Sequence, residues 1–245
     1  MAVFVLVHPA WLGGWCWRKL VPLLAEQGNS VHTPTLTGLG ERAHLAHPGI
    51  DLRTHVDDVV SVLTYDDLHD VILVGTSSGG AVITGVADRV PERISQLVYL
   101  DAFVPEDGQA LWDLIPPSRR PPMEAQVATE GFGWLLPRFS EQPWEQFARQ
   151  SWQVTDEADL TWMLARIRPT PFGHFTSPAR LVNSAAEQLP RTYIRCHSWP
   201  NQSFDRYAQT ASHDPRWRLF DLDSNHLPYI TSPRHLAQIL LELAP

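Results

Sequence analysis

Two stretches of the chain, Val3–Val7 and Val71–Val74, are unbroken apolar runs rich in β-branched residues. Such runs, with no polar alternation, read as strands buried on both faces, as in a parallel sheet. Gln96–Asp101, Thr192–Cys196 and Trp217–Asp221 read as further strands, and Ser30–Pro34 as a short one. Between them the pattern takes on the helical period. Trp15–Gln27 predicts a helix stopped by Gly28. Thr54 is expected to cap a helix running to Tyr65, with Asp57 as its box-like partner. Ser78–Val90 and Phe204–Ala211 predict two more helices, and Ser232–Leu243 an amphipathic closing helix with Pro233 in its first turn. Strand and helix in alternation predict an α/β fold around a mostly parallel sheet with right-handed crossovers.

Composition marks one interruption. Of the 10 Trp and 21 Pro, 5 Trp and 10 Pro fall between residues 106 and 190. The alternation stops at Pro105 and resumes at Thr192, so 106–190 reads as an insertion between two strands of one sheet. Trp144–Trp152 and Glu157–Arg166 are its helical parts. The core is then expected over 1–105 and 191–245. At 245 residues the fold buries roughly 70–75% of the open chain's surface, enough for a core without disulfides or a structural metal.

Charge and cysteine usage exclude several classes of function. The net charge is −8, and nucleic-acid or anionic-membrane binding needs a basic face. Lys19 is the only lysine and sits beside Arg18 at an expected helix start, which argues against Schiff-base chemistry. Cys16 and Cys196 form no CxxC and no disulfide framework. Ala2–Val7 is too short for a signal segment, and no run approaches the 18 apolar residues of a membrane span. The expectation is a cytoplasmic protein, monomer or homodimer, acting on a small molecule without cofactor, nucleic acid or membrane. His44 and His47 have no third ligand nearby in sequence, so no metal is expected.

The chemistry gathers at Gly75-Thr-Ser77-Ser78-Gly79, a G-x-S-x-G placed between an expected strand and an expected helix. A turn this sharp strains the central residue and lifts the Ser77 hydroxyl to the sheet's C-terminal edge. The Ser78 amide then stands at a helix N-terminus, where a developing oxyanion is stabilised. Of eleven histidines, His226 alone follows a late strand and precedes the last helix, which returns it to the same edge as a general base. His32, His55, His69, His213 and His235 lie on elements expected to be solvated. The loop after the next-to-last strand, Cys196–Asn201, holds no carboxylate. Asp101 closes an apolar strand at the catalytic edge and is the first choice for the acid, with Asp205 or an Asn201-oriented dyad as alternatives. A second oxyanion donor is expected from His8–Gly14. Pro9 has no N–H, so the Ala10 amide is the candidate. The loop is no nucleotide site, since it lacks G-x-G-x-x-G and a P-loop lysine.

Gly13-Gly-Trp-Cys-Trp17, Thr33–Arg42, the turn at Ser77 and Leu100–Pro105 together resemble the α/β-hydrolase superfamily. The resemblance spans nearly the whole chain and is weakest over 106–190. Within the superfamily it points to the branch of plant methylesterases, hydroxynitrile lyases and small bacterial esterases, including carbendazim-type carbamate hydrolases. It implies a parallel core of about six strands flanked by helices, a cap over the site, no cofactor and a Ser/acid/His triad. Carried over by position, it supports Ser77, His226 and the amides of Ala10 and Ser78. This chain departs at Asn201, where the branch carries its acid, at Pro9, where glycine is usual, and at Thr76 and Ser78 beside the nucleophile. The lyases use a Lys after the catalytic His and a Thr in the first loop; Leu227 and Pro9 stand there. The expected activity is hydrolysis of a small neutral, aromatic ester or carbamate through an acyl-enzyme. The alternatives are a hydroxynitrile lyase and a ligand-binding protein on the same scaffold. Trp112, Phe132, Trp134, Trp152 and Trp162 are the candidates for an aromatic pocket, two or three of them touching ligand while the rest pack the cap onto the core.

Overall fold

A computed structural model describes residues 1–199 and 202–244. β1 (Val3–Val7) enters the core at once, and a loop and a 3-10 turn over Gly14–Trp17 lead to α1 (Val21–Ala25). The long helix expected over Trp15–Gln27 is therefore split. Pro22 lies in the first turn of α1 and can sit only near a helix start. β2 (Ser30–His32) follows, then α2 (Leu52–Tyr65). Asp51, not Thr54, caps α2: its carboxylate accepts from the Thr54 amide at 2.8 Å, and Thr54 is the box partner. Next come β3 (Val71–Thr76), α3 (Gly79–Arg89) and β4 (Ile94–Leu100).

Between β4 and the next strand of the main sheet lie α4 (Leu111–Leu114), α5 (Arg120–Thr129), β5 (Leu135–Leu136), α6 (Trp144–Gln150), α7 (Glu157–Leu164), β6 (Thr170–Pro171), α8 (Gly173–Thr176) and α9 (Ser184–Glu187). The chain then re-enters the sheet as β7 (Arg191–Cys196), crosses through α10 (Gln202–His213), forms β8 (Trp217–Leu222) and ends with α11 (Pro228–Thr231) and α12 (Pro233–Glu242). The six-stranded sheet has the order β2-β1-β3-β4-β7-β8, parallel throughout, while β5 and β6 pair antiparallel. All strands of the main sheet thus present their C-terminal ends along one edge. Among the described residues no helix is long and apolar enough to cross a membrane.

Three histidines are walled into this core. His55, expected on a solvated face, is fully buried, as are His8 and His174. The apolar stripe of α2 includes position 55, and its ring finds partners there. His55 Nε2 donates to the Thr37 carbonyl at 2.9 Å, and its Nδ1 meets His174 Nδ1 at 2.9 Å. His8 Nε2 accepts from the Leu36 amide at 3.0 Å, so its proton rests on Nδ1, which donates to the Pro9 carbonyl at 2.8 Å. Burial lowers the His8 pKa from 6.5 to about 4 and lowers those of His55 and His174 as well.

The unfolded chain therefore binds more protons than the native one between pH 6.5 and 4. Stability is full above that window and falls as the pH drops through it. His8 is expected to contribute a loss of about 3 kcal/mol, with His55 and His174 acting in the same direction. Urea unfolding of wild type and His8→Gln at about pH 7 and about pH 4 checks this. The variant should lose less stability on acidification; equal losses would reject the assignment.

Candidate active site

The turn from β3 into α3 is built from small residues because nothing larger fits. A Cβ on Gly75 would stand 2.6 Å from the Gly79 carbonyl oxygen, and one on Gly80 would stand 2.2 Å from the Phe103 carbonyl oxygen. Ser77 is left at the apex with a left-handed φ of 52°. Such a conformation in a non-glycine residue persists only where its surroundings enforce it. Here the Ser77 amide donates to the Leu100 carbonyl at 3.3 Å, and the Ser77 carbonyl accepts from the Phe103 amide at 3.0 Å. Thr76 and Ser78 are buried, but Ser77 keeps part of its surface open, and its hydroxyl has no hydrogen bond among the described residues.

Asp101 occupies the matching position at the end of β4, the neighbouring strand. It too is left-handed, with φ 44°, and its amide donates to the Ile194 carbonyl at 2.8 Å. Tyr193 of β7 fixes the next residue: its hydroxyl accepts from the Ala102 amide and donates to the Ala102 carbonyl, both at 3.0 Å. The Asp101 carboxylate meets His226 Nδ1 at 2.6 Å, and both residues are buried. Burial pushes the Asp101 carboxyl above the usual range, against the pull of the His226 hydrogen bond. The carboxylate also fixes the imidazole tautomer: Nδ1 carries the proton that it accepts, leaving Nε2 free to accept one.

The imidazole is held by aromatic faces that sequence reasoning missed. Trp199 lies 4.1 Å from its centroid, and Phe204 stacks on it at 5.2 Å with a 21° tilt. Trp199 stands in the loop after β7, which holds no carboxylate and supplies a ring instead. Asp205, one residue beyond Phe204 on α10, is exposed and makes no hydrogen bond to His226 among the described residues. Asn201 lies outside the described residues.

The loop after β1 reaches the site from the other side. The Ala10 amide, expected to face the carbonyl oxygen of a substrate, donates to Ser78 Oγ at 2.8 Å. Trp11 beside it has φ 65° and is tied to the segment between β4 and β7. Its amide donates to Thr170 Oγ1 at 2.7 Å, its indole to the Leu136 carbonyl at 3.0 Å, and its carbonyl accepts from the Arg168 amide at 3.0 Å. The ring packs on Phe139, Trp144 and Phe175 at 5.5–5.8 Å.

The five aromatic residues expected around a pocket have separate fates. Phe132 is 85% exposed on a turn with φ 54°, so it does not line an enclosed pocket as expected. Trp152 is buried against Trp144 and Phe147 at 5.3 and 5.2 Å. Trp162 packs edge-on against Trp15 at 4.9 Å under the Arg18 guanidinium, joining α7 to the turn before α1. Trp112 meets Phe172 edge-on at 4.9 Å, and the Trp134 carbonyl accepts from the Phe172 amide at 2.7 Å. A cavity of about 650 Å³ between α3, β4, β7 and α10 is lined by residues that do not include Ser77.

Known proteins share this arrangement of elements. The model of the alpha/beta hydrolase family matches residues 4–238. A carbendazim hydrolyzing esterase from Nocardioides sp. (strain SG-4G) is 38% identical over 99% of this chain and 100% of its own length. A putative chloroplastic methylesterase 14 of Arabidopsis thaliana is 28% identical over 98% of this chain and 71% of its own. Among solved structures, an Arabidopsis methylesterase superposes with a TM-score of 0.77 at 27% identity, covering 99% of this chain and 98% of that one. An extracellular alpha/beta-hydrolase from a Paenibacillus species shares the fold with a TM-score of 0.83 at 24% identity, over 99% and 98% of the two chains. The chain belongs to the alpha/beta hydrolase family, on the branch that holds esterases and methylesterases.

Proposed function

We propose that the chain is a cofactor-free serine hydrolase that cleaves a small neutral ester or carbamate through an acyl-enzyme on Ser77. The observation that carries this reading is the buried 2.6 Å contact between His226 Nδ1 and Asp101, one strand from the strained Ser77. A carboxylate sealed from water against an imidazole serves to orient it and to stabilise its cation. Ser77 Oγ attacks the carbonyl carbon as His226 Nε2 takes its proton. The leaving alcohol departs with that proton, and water, activated by the same imidazole, releases the acyl group. Asp101 stays ionised throughout, and the aromatic faces of Trp199 and Phe204 hold the ring in line. Residues 106–190 act as the lid, and its Trp-rich interior favours a flat, uncharged substrate. The carbamate option rests on the carbendazim hydrolyzing relative.

Three outcomes are expected in a p-nitrophenyl acetate assay. Ser77→Ala should abolish turnover and also abolish stoichiometric labelling by a phosphonofluoridate; labelling that persists elsewhere would reject Ser77 as nucleophile. Asp101→Asn should lower kcat by about 10⁴-fold, because the amide orients the wrong imidazole tautomer. Unchanged turnover would move the acid to another residue. Tyr193→Phe leaves both polar groups of Ala102 unpaired and should cost about 1–3 kcal/mol of stability. It should also lower kcat while leaving KM near wild type. A variant with unchanged kcat would show that the Ala102 clamp does not position Asp101.

A further inference from the structure

The residue after the nucleophile heads α3, where a serine ordinarily caps the helix with its side chain. Ser78 makes no such bond. Its hydroxyl oxygen accepts instead from the Ala10 amide, 68 residues away, at 2.8 Å. That contact has two consequences. The Ala10 N–H is already committed, so it is not free to meet a substrate oxygen. The Ser78 O–H proton has no acceptor among the described residues, although the side chain is buried. The Ser78 main-chain N–H is likewise without an acceptor among the described residues. One residue thus carries two unspent donors, both beside Ser77, and Pro9 on the facing loop has no N–H to add.

We propose that the second oxyanion donor is the Ser78 hydroxyl, with Ala10 acting through it. Resting on the hydrolase reading above, the assignment changes which atom meets the substrate. As Ser77 Oγ bonds to the carbonyl carbon and its proton passes to His226, the carbonyl π pair moves onto oxygen. That oxygen accepts hydrogen bonds from the Ser78 N–H and the Ser78 O–H, and the hydroxyl proton stays on its own oxygen throughout. When the intermediate collapses, the pair returns to the C–O bond and the leaving group departs. The Ala10 amide fixes the Ser78 rotamer and, by donating to its oxygen, makes the O–H a stronger donor. A donor held in place before the charge develops is what stabilises an oxyanion most effectively.

The competing arrangement has Ser78 as an obstruction that swings aside and frees the Ala10 amide. Ser78→Ala separates the two. If the hydroxyl donates, kcat for p-nitrophenyl acetate should fall about 10²- to 10³-fold with KM near wild type. The affinity for an aryl trifluoromethyl ketone, whose adduct with Ser77 carries the same oxyanion, should fall by a similar factor. Ser78→Cys, a weaker donor of similar shape, should lie between wild type and Ser78→Ala in both measurements. A Ser78→Ala enzyme as fast as wild type or faster, or one that loses kcat but keeps its ketone affinity, overturns the proposal. The underlying hydrolase reading is tested separately in the same assay by wild-type turnover and by its loss in Ser77→Ala.

Discussion

Two neighbouring strands each end on a residue whose backbone is forced into the left-handed region: Ser77 after β3 and Asp101 after β4. For L-residues other than glycine this conformation costs on the order of 1–2 kcal/mol each. The two turns hold one another there. The Ser77 amide is bonded to Leu100, just before Asp101, and the Phe103 amide, just after it, is bonded to the Ser77 carbonyl. Gly80 lets the Phe103 carbonyl approach closely enough for this, since a Cβ would stand 2.2 Å from it. Serine and carboxylate are therefore set in register by the main chain of the sheet itself. His226 is the one member of the group that comes from a distant loop.

On the proposed reading, Asp101 stands in for a carboxylate that the loop after β7 lacks. An acid at the end of β4 is anchored on three sides: by β3 through the Ser77 turn, by the Ile194 carbonyl, and by the Tyr193 clamp on Ala102. The β7 loop is then free to bring Trp199 against the imidazole, and α10 brings Phe204. Both rings lie against the imidazole, and neither makes a hydrogen bond to its nitrogens among the described residues.

Main-chain constraints were readable in the sequence where they leave a residue-type signature. The apolar runs of β1 and β3 and the G-x-S-x-G spacing each answer to a local rule, and Asp101 at the end of an apolar strand is an anomaly that demands a partner. Helix boundaries were less legible where two capping residues compete: Asp51 and Thr54 are both good caps, and the structure uses Asp51, with Leu52 buried as the first helical residue. His55 was misplaced because a histidine on an amphipathic helix carries no mark of which side it faces. The aromatic residues of 106–190 mark a composition shift but carry little geometry. Trp152 and Trp162 spend their faces on other rings, and Phe132 stands exposed on its turn. Trp199 and Phe204 escaped notice because what distinguishes them, nearness to a ring from another loop, exists only in three dimensions.

Trp11 joins the two halves of the structure. Its left-handed backbone is held by partners that belong to the segment between β4 and β7: Thr170 on its amide, Arg168 on its carbonyl and Leu136 on its indole. The preceding residue, Ala10, holds Ser78. Leu136 of β5 and Thr170 of β6 are thus linked through Trp11 and its neighbour Ala10 to the Ser78 side chain beside Ser77. Asn225 adds a second tie, its amide donating to the Gln153 carbonyl at 3.1 Å, next to His226. The segment between β4 and β7 is thus hydrogen-bonded both to the loop after β1 and to the loop that carries His226. Under the proposed function, in which this segment covers the site, substitutions in it that alter which molecule fits are expected to alter the rate as well, through these same hydrogen bonds.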